Sequence, residues 1–183
     1  MRVIAGTAKG VRLAPVPRGV RPMSDTAREG LFSSVSPQVP GARVLDLYAG
    51  TGALGIEALS RGAASAVLVE RAPAALRAIR ANLERTRLAD RAIVVASDVA
   101  RFVRKNNKSA GPFDLCLLDP PYDTTDPELE PVLGELASGW IAPGGIMVLA
   151  RGKRSSIPVI PLHWLVARRL EYGDTLVVVC GEV

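Results

Sequence analysis

Short apolar runs rich in β-branched residues alternate with longer amphipathic stretches from Arg43 onward. The apolar runs predict five strands, at 43–48, 66–70, 92–96, 114–119 and 145–150. The stretches between them predict helices, at 53–61, 73–88, 98–107 and 127–138. Strands that alternate with helices are typical of an α/β fold with a parallel sheet, and not of a β-sandwich or a helix bundle.

The end of the sequence departs from this alternation. The segment WLVARRLEYGDTLVVVC contains two β-rich runs around Gly173 and Asp174, which predict an antiparallel hairpin added to the sheet. A common dinucleotide-binding fold closes with a parallel strand, whereas a hairpin after five α/β units resembles the Rossmann-like methyltransferases. We therefore expect a mostly parallel, seven-stranded sheet that ends in an antiparallel hairpin.

Residues 1–41 follow a different pattern and predict a small extension in front of an α/β domain over 42–183. The segments VIAG and VRLAPV suggest a short β-hairpin, and SDTAREGLFSSV suggests a helix with Ser24 as its N-cap. The first 24 residues contain no acidic residue but five basic ones, which are Arg2, Lys9, Arg12, Arg18 and Arg21. An acid-free basic segment suggests a polyanionic partner such as nucleic acid.

Composition limits the classes of protein that remain. Hydrophobic residues make up 48% of the chain and charged residues 22%, with a formal net charge of +5, so a disordered, collagenous or coiled-coil chain is excluded. No apolar run reaches the roughly 18 residues of a membrane span, and the N-terminus lacks the apolar core of a signal peptide, so we expect a cytoplasmic protein. Cys116 and Cys180 lie in apolar runs and are expected to be buried free thiols. The single histidine, His163, cannot build a metal site of the usual kind, so no metal is expected.

A glycine-rich turn follows the first predicted strand directly. Residues 50–55 match GxGxxG between a strand and a helix, and Glu70 ends the next strand, where an acid can bind ribose hydroxyls. This pattern alone fits NAD binding or a structural turn in any α/β protein. Asp46 favours a different ligand, because a carboxylate at the strand end repels a pyrophosphate. It suits S-adenosylmethionine, whose amino group and sulfonium are cationic.

The pattern D-x-x-x-G-x-G that starts at Asp46 resembles the first methyltransferase motif. Asp98, after the third strand, is placed to contact the adenine amine, although it is also a suitable N-cap for the next helix. The residues expected to bind S-adenosylmethionine are Asp46, Ala49, Gly50, Gly52, Leu54, Glu70, Arg71, Asp98 and Val99. Tyr48 and Phe113 are expected to fill the core.

The fourth predicted strand ends in Asp119-Pro120-Pro121-Tyr122, the most specific motif in the sequence. Its prolines stiffen the turn and hold carbonyl oxygens and the Asp119 carboxylate at the edge where α/β sheets bind ligands. An exocyclic amine is a poor nucleophile because its lone pair is delocalised into the ring. Acceptors on both N–H groups, here Asp119 and the Pro120 carbonyl, favour a more reactive nitrogen, and Tyr122 can stack on the target base. Alternatively, the motif has only a structural role, as a Pro-Pro turn whose aromatic side chain packs against it.

With these motifs in this order, the chain resembles the amino-methylating class I methyltransferases, and the N-terminal segment narrows the resemblance. VIAG at 3–6, KGVRL at 9–13 and RPMSDTAREGLF at 21–32 are similar to the R-I-I-G-G, G-R-x-L and R-P-T-x-D-x-x-R-E-x-L-F signature of the RsmD family. The RsmD resemblance implies a bacterial enzyme that methylates N2 of a guanine in 16S ribosomal RNA of the small subunit. It also implies S-adenosylmethionine as the methyl donor.

Two positions depart from the family pattern. Met23-Ser24 stands where the family usually has T-T or T-S, and Ala150 precedes Arg151 where a Glu is frequent after the fifth strand. We expect the first change to be tolerated. The second removes any polar contact that the Glu would make near the cleft.

Basic residues of the N-terminal segment are the expected RNA contacts. They are Lys9, Arg12, Arg18, Arg21 and Arg28. Arg21 and Arg28 alternatively line the cleft, and Arg28 alternatively pairs with Asp25 or Glu29 as ordinary helix chemistry. A second basic cluster, from Arg101 to Lys108, is either an RNA contact or a solvated helix face.

Two other functions compete with this interpretation. The DPPY motif serves an adenine-N6 DNA or RNA methyltransferase equally well, although 183 residues leave no room for a target-recognition domain. A non-catalytic RNA-binding or assembly module is the alternative from another class, and Asp119 with Tyr122 argues against it. We expect a monomer whose partner is the small ribosomal subunit.

Overall fold

The computed structural model describes residues 1–15, 23–105 and 111–182. The seven strands are β1 Arg43–Leu47, β2 Ser65–Glu70, β3 Ala92–Ala96, β4 Phe113–Leu118, β5 Ile141–Gly152, β6 Trp164–Tyr172 and β7 Thr175–Glu182. The five α-helices are α1 Asp25–Ser34, α2 Ala53–Ser60, α3 Pro73–Thr86, α4 Val99–Arg104 and α5 Asp126–Ala137. Short 3-10 turns lie at Ser36–Gln38 and Ala89–Arg91.

The strands form one sheet in the order β3-β2-β1-β4-β5-β7-β6. Strands β1 to β5 run parallel to one another, whereas β7 runs antiparallel to both β5 and β6. The predicted α/β fold and its terminal antiparallel hairpin are therefore confirmed. Because the chain leaves β1 toward β2 on one side and returns to β4 on the other, the carboxyl ends of β1 and β4 border a crevice.

Alternating side chains of the strands enter two cores, one on each face of the sheet. Val44 and Leu117 belong to the core covered by α1, α2 and α3. Leu45 and Leu118 belong to the core covered by α4 and α5. This alternation places Asp46 and Asp119, each two residues further along, at the sheet edge on the side of α1 and α2.

Several element boundaries differ from those predicted. Strand β5 begins at Ile141 rather than 145, because Ile141 pairs with Phe113 across a register shift in β4. Helix α3 ends at Thr86, because Arg87 adopts a left-handed conformation with φ 57°. Helix α4 ends at Arg104 and not at 107, since Lys105 has left the helical conformation.

The predicted N-terminal hairpin is present but short: an antiparallel bridge joins Arg2 and Arg12, and backbone N–H groups of Val3 and Leu13 donate to the carbonyls of Val11 and Met1 at 3.0 and 3.2 Å. The pairing does not extend further, because the backbone N–H groups between the two arms donate to α2 instead. Glu57 accepts hydrogen bonds from the N–H groups of Ile4 at 2.8 Å and Ala5 at 3.0 Å. Ser60 contributes its carbonyl and hydroxyl oxygens to the same segment.

Gly6 makes this docking possible. Its φ is 82°, and a Cβ there would lie 1.8 Å from the Ser60 carbonyl oxygen. Apolar residues of the segment, such as Val3 and Leu13, share the core on the α1 side with Phe32 of α1. The N-terminal segment thus packs directly on α2, and the proposed division at residue 41 stays a prediction.

Cys116 and Cys180 are buried free thiols, as expected. The helices of the described residues include none long and apolar enough to cross a membrane. The same residues hold no group of three or more His, Cys, Asp or Glu side chains placed to share a metal ion.

Candidate active site

A cleft of about 830 Å³ opens at the carboxyl ends of the parallel strands. The loops after β1, β2, β3 and β4 line it, together with residues of α1 and α5. Both its position and its size are those of a small-molecule site in an open α/β sheet. Twelve predicted site residues line this cleft: Arg28, Asp46, Ala49, Gly50, Leu54, Glu70, Arg71, Asp98, Val99, Asp119, Pro120 and Tyr122.

Asp46 lies in β1, fully buried at the base of the cleft. Its Oδ2 accepts a hydrogen bond of 2.8 Å from the Gly55 N–H, and its Oδ1 has no protein partner. Burial raises the pKa of Asp46 to about 8, and the carboxylates of Asp119 and Glu70 act in the same direction. A cationic ligand group placed against Oδ1 would supply the missing partner and favour the ionised carboxylate.

The two glycines of the turn after β1 play different structural roles. Gly50 has a φ of 57° and lines the cleft, and a Cβ there would meet no neighbouring atom closer than 3.9 Å. Gly52 has a φ of 78° and caps α2, and a Cβ there would lie 3.1 Å from Leu68. Gly52 therefore shapes the turn and its packing, and its predicted contact with a cofactor stays a prediction.

Glu70 ties the turn after β2 to the turn after β1. Its Oε2 accepts from the Gly50 N–H at 2.9 Å, and its Oε1 accepts from Arg71 and Ala72 at 2.7 and 2.8 Å. These three bonds orient the carboxylate at the cleft wall. Since a carboxylate oxygen offers two lone-pair sites, Oε2 retains one acceptor site for a ligand hydroxyl.

Asp98 caps α4, as the sequence allowed, and it also lines the cleft, so its contact with an adenine amine stays a prediction. Its Oδ1 accepts from the Arg101 N–H at 3.1 Å, and its Oδ2 lies 3.3 Å from Nη1 of Arg71. Val99, the first residue of α4, lies beside it. The Arg71–Asp98 pair thus links the loops after β2 and β3.

The Asp119-Pro120-Pro121-Tyr122 motif follows β4 and opens into the same cleft. Burial raises the pKa of Asp119 to about 7. Tyr122 is 52% exposed, yet one side of its ring lies against Gly152, where a Cβ would approach ring carbons to 3.1 Å. The motif therefore combines a carboxylate that titrates near neutral pH with an aromatic ring that offers a free surface.

The predicted basic RNA contacts fall in three different environments. Lys9 and Arg12 are exposed on the N-terminal segment, where the Arg12 carbonyl accepts from Arg85 at 3.0 Å. Arg28 is 1% exposed on the cleft wall and pairs with Asp25 at 2.9 Å, so the within-helix pairing is confirmed. Arg18 and Arg21 lie outside the described residues.

Ala150 is buried in the core on the α1 side, where the departure from the family pattern leaves only a small apolar side chain. Its neighbour Arg151 takes a structural role. The Arg151 guanidinium contacts Asp126 Oδ1 at 2.8 Å and the Thr124 carbonyl at 3.1 Å. Arg151 therefore fixes the loop between the DPPY motif and α5.

Sequence reasoning missed several residues of the site. Phe113 is in the core as expected, but Tyr48 also lines the cleft, and burial raises its pKa to about 12. Tyr48 directly follows β1 and has a φ of 60°. Its position at the carboxyl end of a strand could have identified it as a residue of the cleft. Glu57 anchors the N-terminal segment, and the sequence did not indicate this role, because the N–H groups of Ile4 and Ala5 that it binds lie more than 50 residues away.

A family model described as "Conserved hypothetical protein 95" matches residues 1–181. The chain is 35% identical over 177 residues to "Ribosomal RNA small subunit methyltransferase D" of Escherichia coli (strain K12), and the match covers 95% of this chain and 86% of that protein. The solved structure of the Escherichia coli protein yhhF, a candidate methyltransferase, superposes with a TM-score of 0.86 at 33% identity. That superposition covers 100% of this chain and 97% of the other.

A more distant structure shares the fold alone. This candidate S-adenosylmethionine-dependent methyltransferase from Streptococcus mutans is 13% identical and superposes with a TM-score of 0.74. The superposition covers 88% of this chain and 50% of the other.

Proposed function

The chain belongs to the family described as conserved hypothetical protein 95, the RsmD family, and we propose that it methylates 16S ribosomal RNA at N2 of a guanine. The methyl donor in this proposal is S-adenosylmethionine, and the reaction takes place in the cytoplasm. The observation that carries the proposal is the meeting of two groups of residues in one cleft. Asp46, Glu70 and Asp98 line the cleft at the ends of β1, β2 and β3, and Asp119 and Tyr122 follow the adjacent strand β4.

The residues present fit the donor. The cleft volume of about 830 Å³ lies in the range of small-molecule sites. Asp46 Oδ1 is a buried acceptor without a protein partner, which suits the cationic end of the molecule. When bound, S-adenosylmethionine supplies a methyl group activated by its sulfonium. Glu70 would hold the ribose hydroxyls, and Asp98 the adenine amine.

The DPPY motif prepares the target amine. The Asp119 carboxylate and the Pro120 carbonyl accept hydrogen bonds from the two N–H groups, which concentrates electron density on the nitrogen. Tyr122 exposes a ring on which an extruded base can stack, an interaction worth about 1 to 3 kcal/mol. Orientation of this kind can lower a barrier by roughly 7 to 11 kcal/mol.

The direct test is to incubate the protein with labelled S-adenosylmethionine and small ribosomal subunits that lack the modification, and then to map the product. A single N2-methylguanine in 16S ribosomal RNA is the expected result. N6-methyladenine would support the competing adenine methyltransferase, and absence of methylation with intact donor binding would support a non-catalytic module.

Replacing Glu70 with alanine is expected to weaken donor binding about 10- to 150-fold. This range corresponds to the roughly 1.5 to 3 kcal/mol of a hydrogen bond with one charged partner. Glu70→Gln should have a smaller effect, because it retains one acceptor oxygen. Calorimetric titration with S-adenosylhomocysteine measures the affinity of both variants. Unchanged affinity in Glu70→Ala would show that Glu70 has only a structural role, through its hydrogen bonds with Gly50, Arg71 and Ala72.

The N-terminal segment is expected to grip the RNA backbone beside the cleft. Extruding a guanine costs a few kcal/mol, which phosphate contacts on flanking nucleotides can offset. Joint replacement of Lys9, Arg12 and Arg18 by alanine should therefore weaken subunit binding. It should also reduce the log–log salt slope by about 0.7 to 0.9 for each phosphate that the protein no longer neutralises.

The matched control for this variant is the joint replacement of Arg77, Arg80 and Arg87, three exposed arginines on and just after α3. That control removes the same charge and should change the salt slope much less. Donor affinity should stay the same in both triple variants. Wild-type RNA affinity and slope in the first variant would place the RNA grip elsewhere, with residues from Arg101 to Lys108 as the next candidates.

A further inference from the structure

Arg28 is a buried guanidinium whose hydrogen-bonding capacity is only partly used. It is 1% exposed and lines the cleft. Its Nη2 donates to the Arg2 carbonyl and, at 2.9 Å, to Asp25 Oδ1. Its Nε and Nη1 are buried and have no hydrogen-bond partner in the protein. Buried donors without partners are costly, so they suggest a ligand that completes them.

The nearest carboxylate does not account for these free donors. Glu57 Oε2 lies 3.7 Å from Arg28 Nε, which is beyond hydrogen-bond distance. Glu57 already accepts from the Ile4 and Ala5 N–H groups and pairs with Arg61 Nε at 2.7 Å. Charge compensation of Glu57 therefore does not depend on Arg28 alone.

A complementary group stands in the same cleft. Among the described residues, the buried side-chain atoms without a partner are Arg28 Nε, Arg28 Nη1, Asp46 Oδ1 and Gln38 Oε1. Three of these four atoms belong to two residues of opposite charge type that line one cavity. A guanidinium and a carboxylate with free atoms in one cavity match a zwitterion, such as the free α-amino acid group of a ligand.

The order of the strands supports this match. The sheet order β3-β2-β1-β4 places Asp98, Glu70, Asp46 and Asp119 in sequence along the cleft. A nucleoside held by Asp98 and Glu70 therefore directs its other end toward Asp46. Arg28 reaches the cleft from α1. A phosphate from RNA fits this place poorly, since it would meet Asp46, Asp25 and Glu57 without bringing a positive charge of its own.

We propose that Arg28 binds the α-carboxylate of the methyl donor through Nη1, while its Nε faces Glu57 and Asp46 Oδ1 accepts from the α-ammonium group of the donor. Arg28 is then a donor-binding residue rather than an RNA contact. This inference rests on the proposed function, because it takes S-adenosylmethionine as the donor.

The test compares S-adenosylhomocysteine with 5′-methylthioadenosine, which keeps the nucleoside and lacks the amino-acid group. Arg28→Met should weaken S-adenosylhomocysteine binding about 10- to 100-fold. Its affinity for 5′-methylthioadenosine should stay within about twofold of wild type, because that ligand has no carboxylate for Arg28 to bind. Calorimetric titration of the full chain measures both ligands.

Arg61→Met is the matched control. It removes the other guanidinium on Glu57 and does not line the cleft, so both affinities should stay at wild-type values. An equal loss of affinity for both ligands in Arg28→Met would contradict the proposal, because it would show that Arg28 only shapes the cleft and does not bind the carboxylate. Unchanged affinity for both ligands would overturn the proposal as well.

A comparison on the wild-type protein needs no variant. Decarboxylated S-adenosylmethionine keeps the ammonium and the sulfonium, and it should bind at least about 10-fold more weakly than S-adenosylmethionine. Equal binding of the two would contradict the carboxylate contact even if Arg28→Met fails to fold. Failure of the wild-type protein to bind any of these nucleosides would instead contradict the proposed function.

Discussion

Asp119→Ala is expected to reduce methyl transfer by at least about 10²- to 10⁴-fold, the range found when a group acting directly on the reacting amine is removed. Affinity for S-adenosylhomocysteine should stay within about twofold, because Asp119 acts on the target and not on the nucleoside. The backbone N–H of Asp119 faces the Leu47 carbonyl at 3.4 Å, and that contact survives the change. Single-turnover rates with small subunits, together with calorimetric titration, measure the two effects.

The same carboxylate predicts a pH dependence. Burial raises the pKa of Asp119 to about 7, so the ionised acceptor becomes populated as the pH rises from 6 to 8. At saturating donor, the wild-type rate should rise through this window. Asp119→Asn keeps an acceptor oxygen but cannot ionise, so its residual rate should be flat over the window. A wild-type ascending limb that persists in Asp119→Asn would assign the titration to another group.

Asp46→Asn is expected to weaken donor binding about 10- to 100-fold while it stabilises the folded protein in alkaline solution. The asparagine oxygen can still accept from the Gly55 N–H, which preserves the turn. The NH₂ group of the asparagine then replaces Oδ1, the oxygen that has no partner in the protein, and an NH₂ group cannot accept a hydrogen bond from a cation. Titration with S-adenosylhomocysteine should therefore show the weaker affinity.

The sign of the stability effect follows from the raised pKa. Asp46 has a pKa of about 8 in the folded chain against an ordinary value of 3.8, so the folded state binds a proton that the unfolded state has released over that interval. Wild-type stability contributed by Asp46 is thus present at low pH and is lost as the pH rises toward 8. The melting temperature of Asp46→Asn should exceed that of wild type by several degrees at pH 9. The gain should be smaller at pH 5.5.

A lower melting temperature for Asp46→Asn at both pH values would contradict this account. It would mean that the charged carboxylate gains more stability from its hydrogen bond with the Gly55 N–H than it loses through burial. Arg61→Met serves as the reference for an ordinary decrease in stability near α2, since it removes an ion pair and leaves Asp46 unchanged.

The sequence by itself determined the sheet, its terminal hairpin and the positions of the ligand-facing turns. Apolar runs with the period of strands, separated by amphipathic helices, carry this information locally. The glycine-rich turn and the DPPY motif are equally local, and both lie in the cleft. Asp98 could be assigned two roles from its position between a strand and a helix, and the structure shows that one carboxylate serves as cap and lies in the cleft.

Only the tertiary structure decided which charged groups are buried and what they meet. Glu57 and Arg28 are both ordinary helix residues in the sequence, yet each is at most 1% exposed, because α1, α2 and the N-terminal segment converge on them. The hydrogen bond from Ile4 to Glu57 spans 53 residues. Local periodicity carries no information about such contacts, since they arise only when separate elements pack. For the same reason the raised pKa values of Asp46 and Asp119 belong to the folded chain, where burial removes water from their carboxylates.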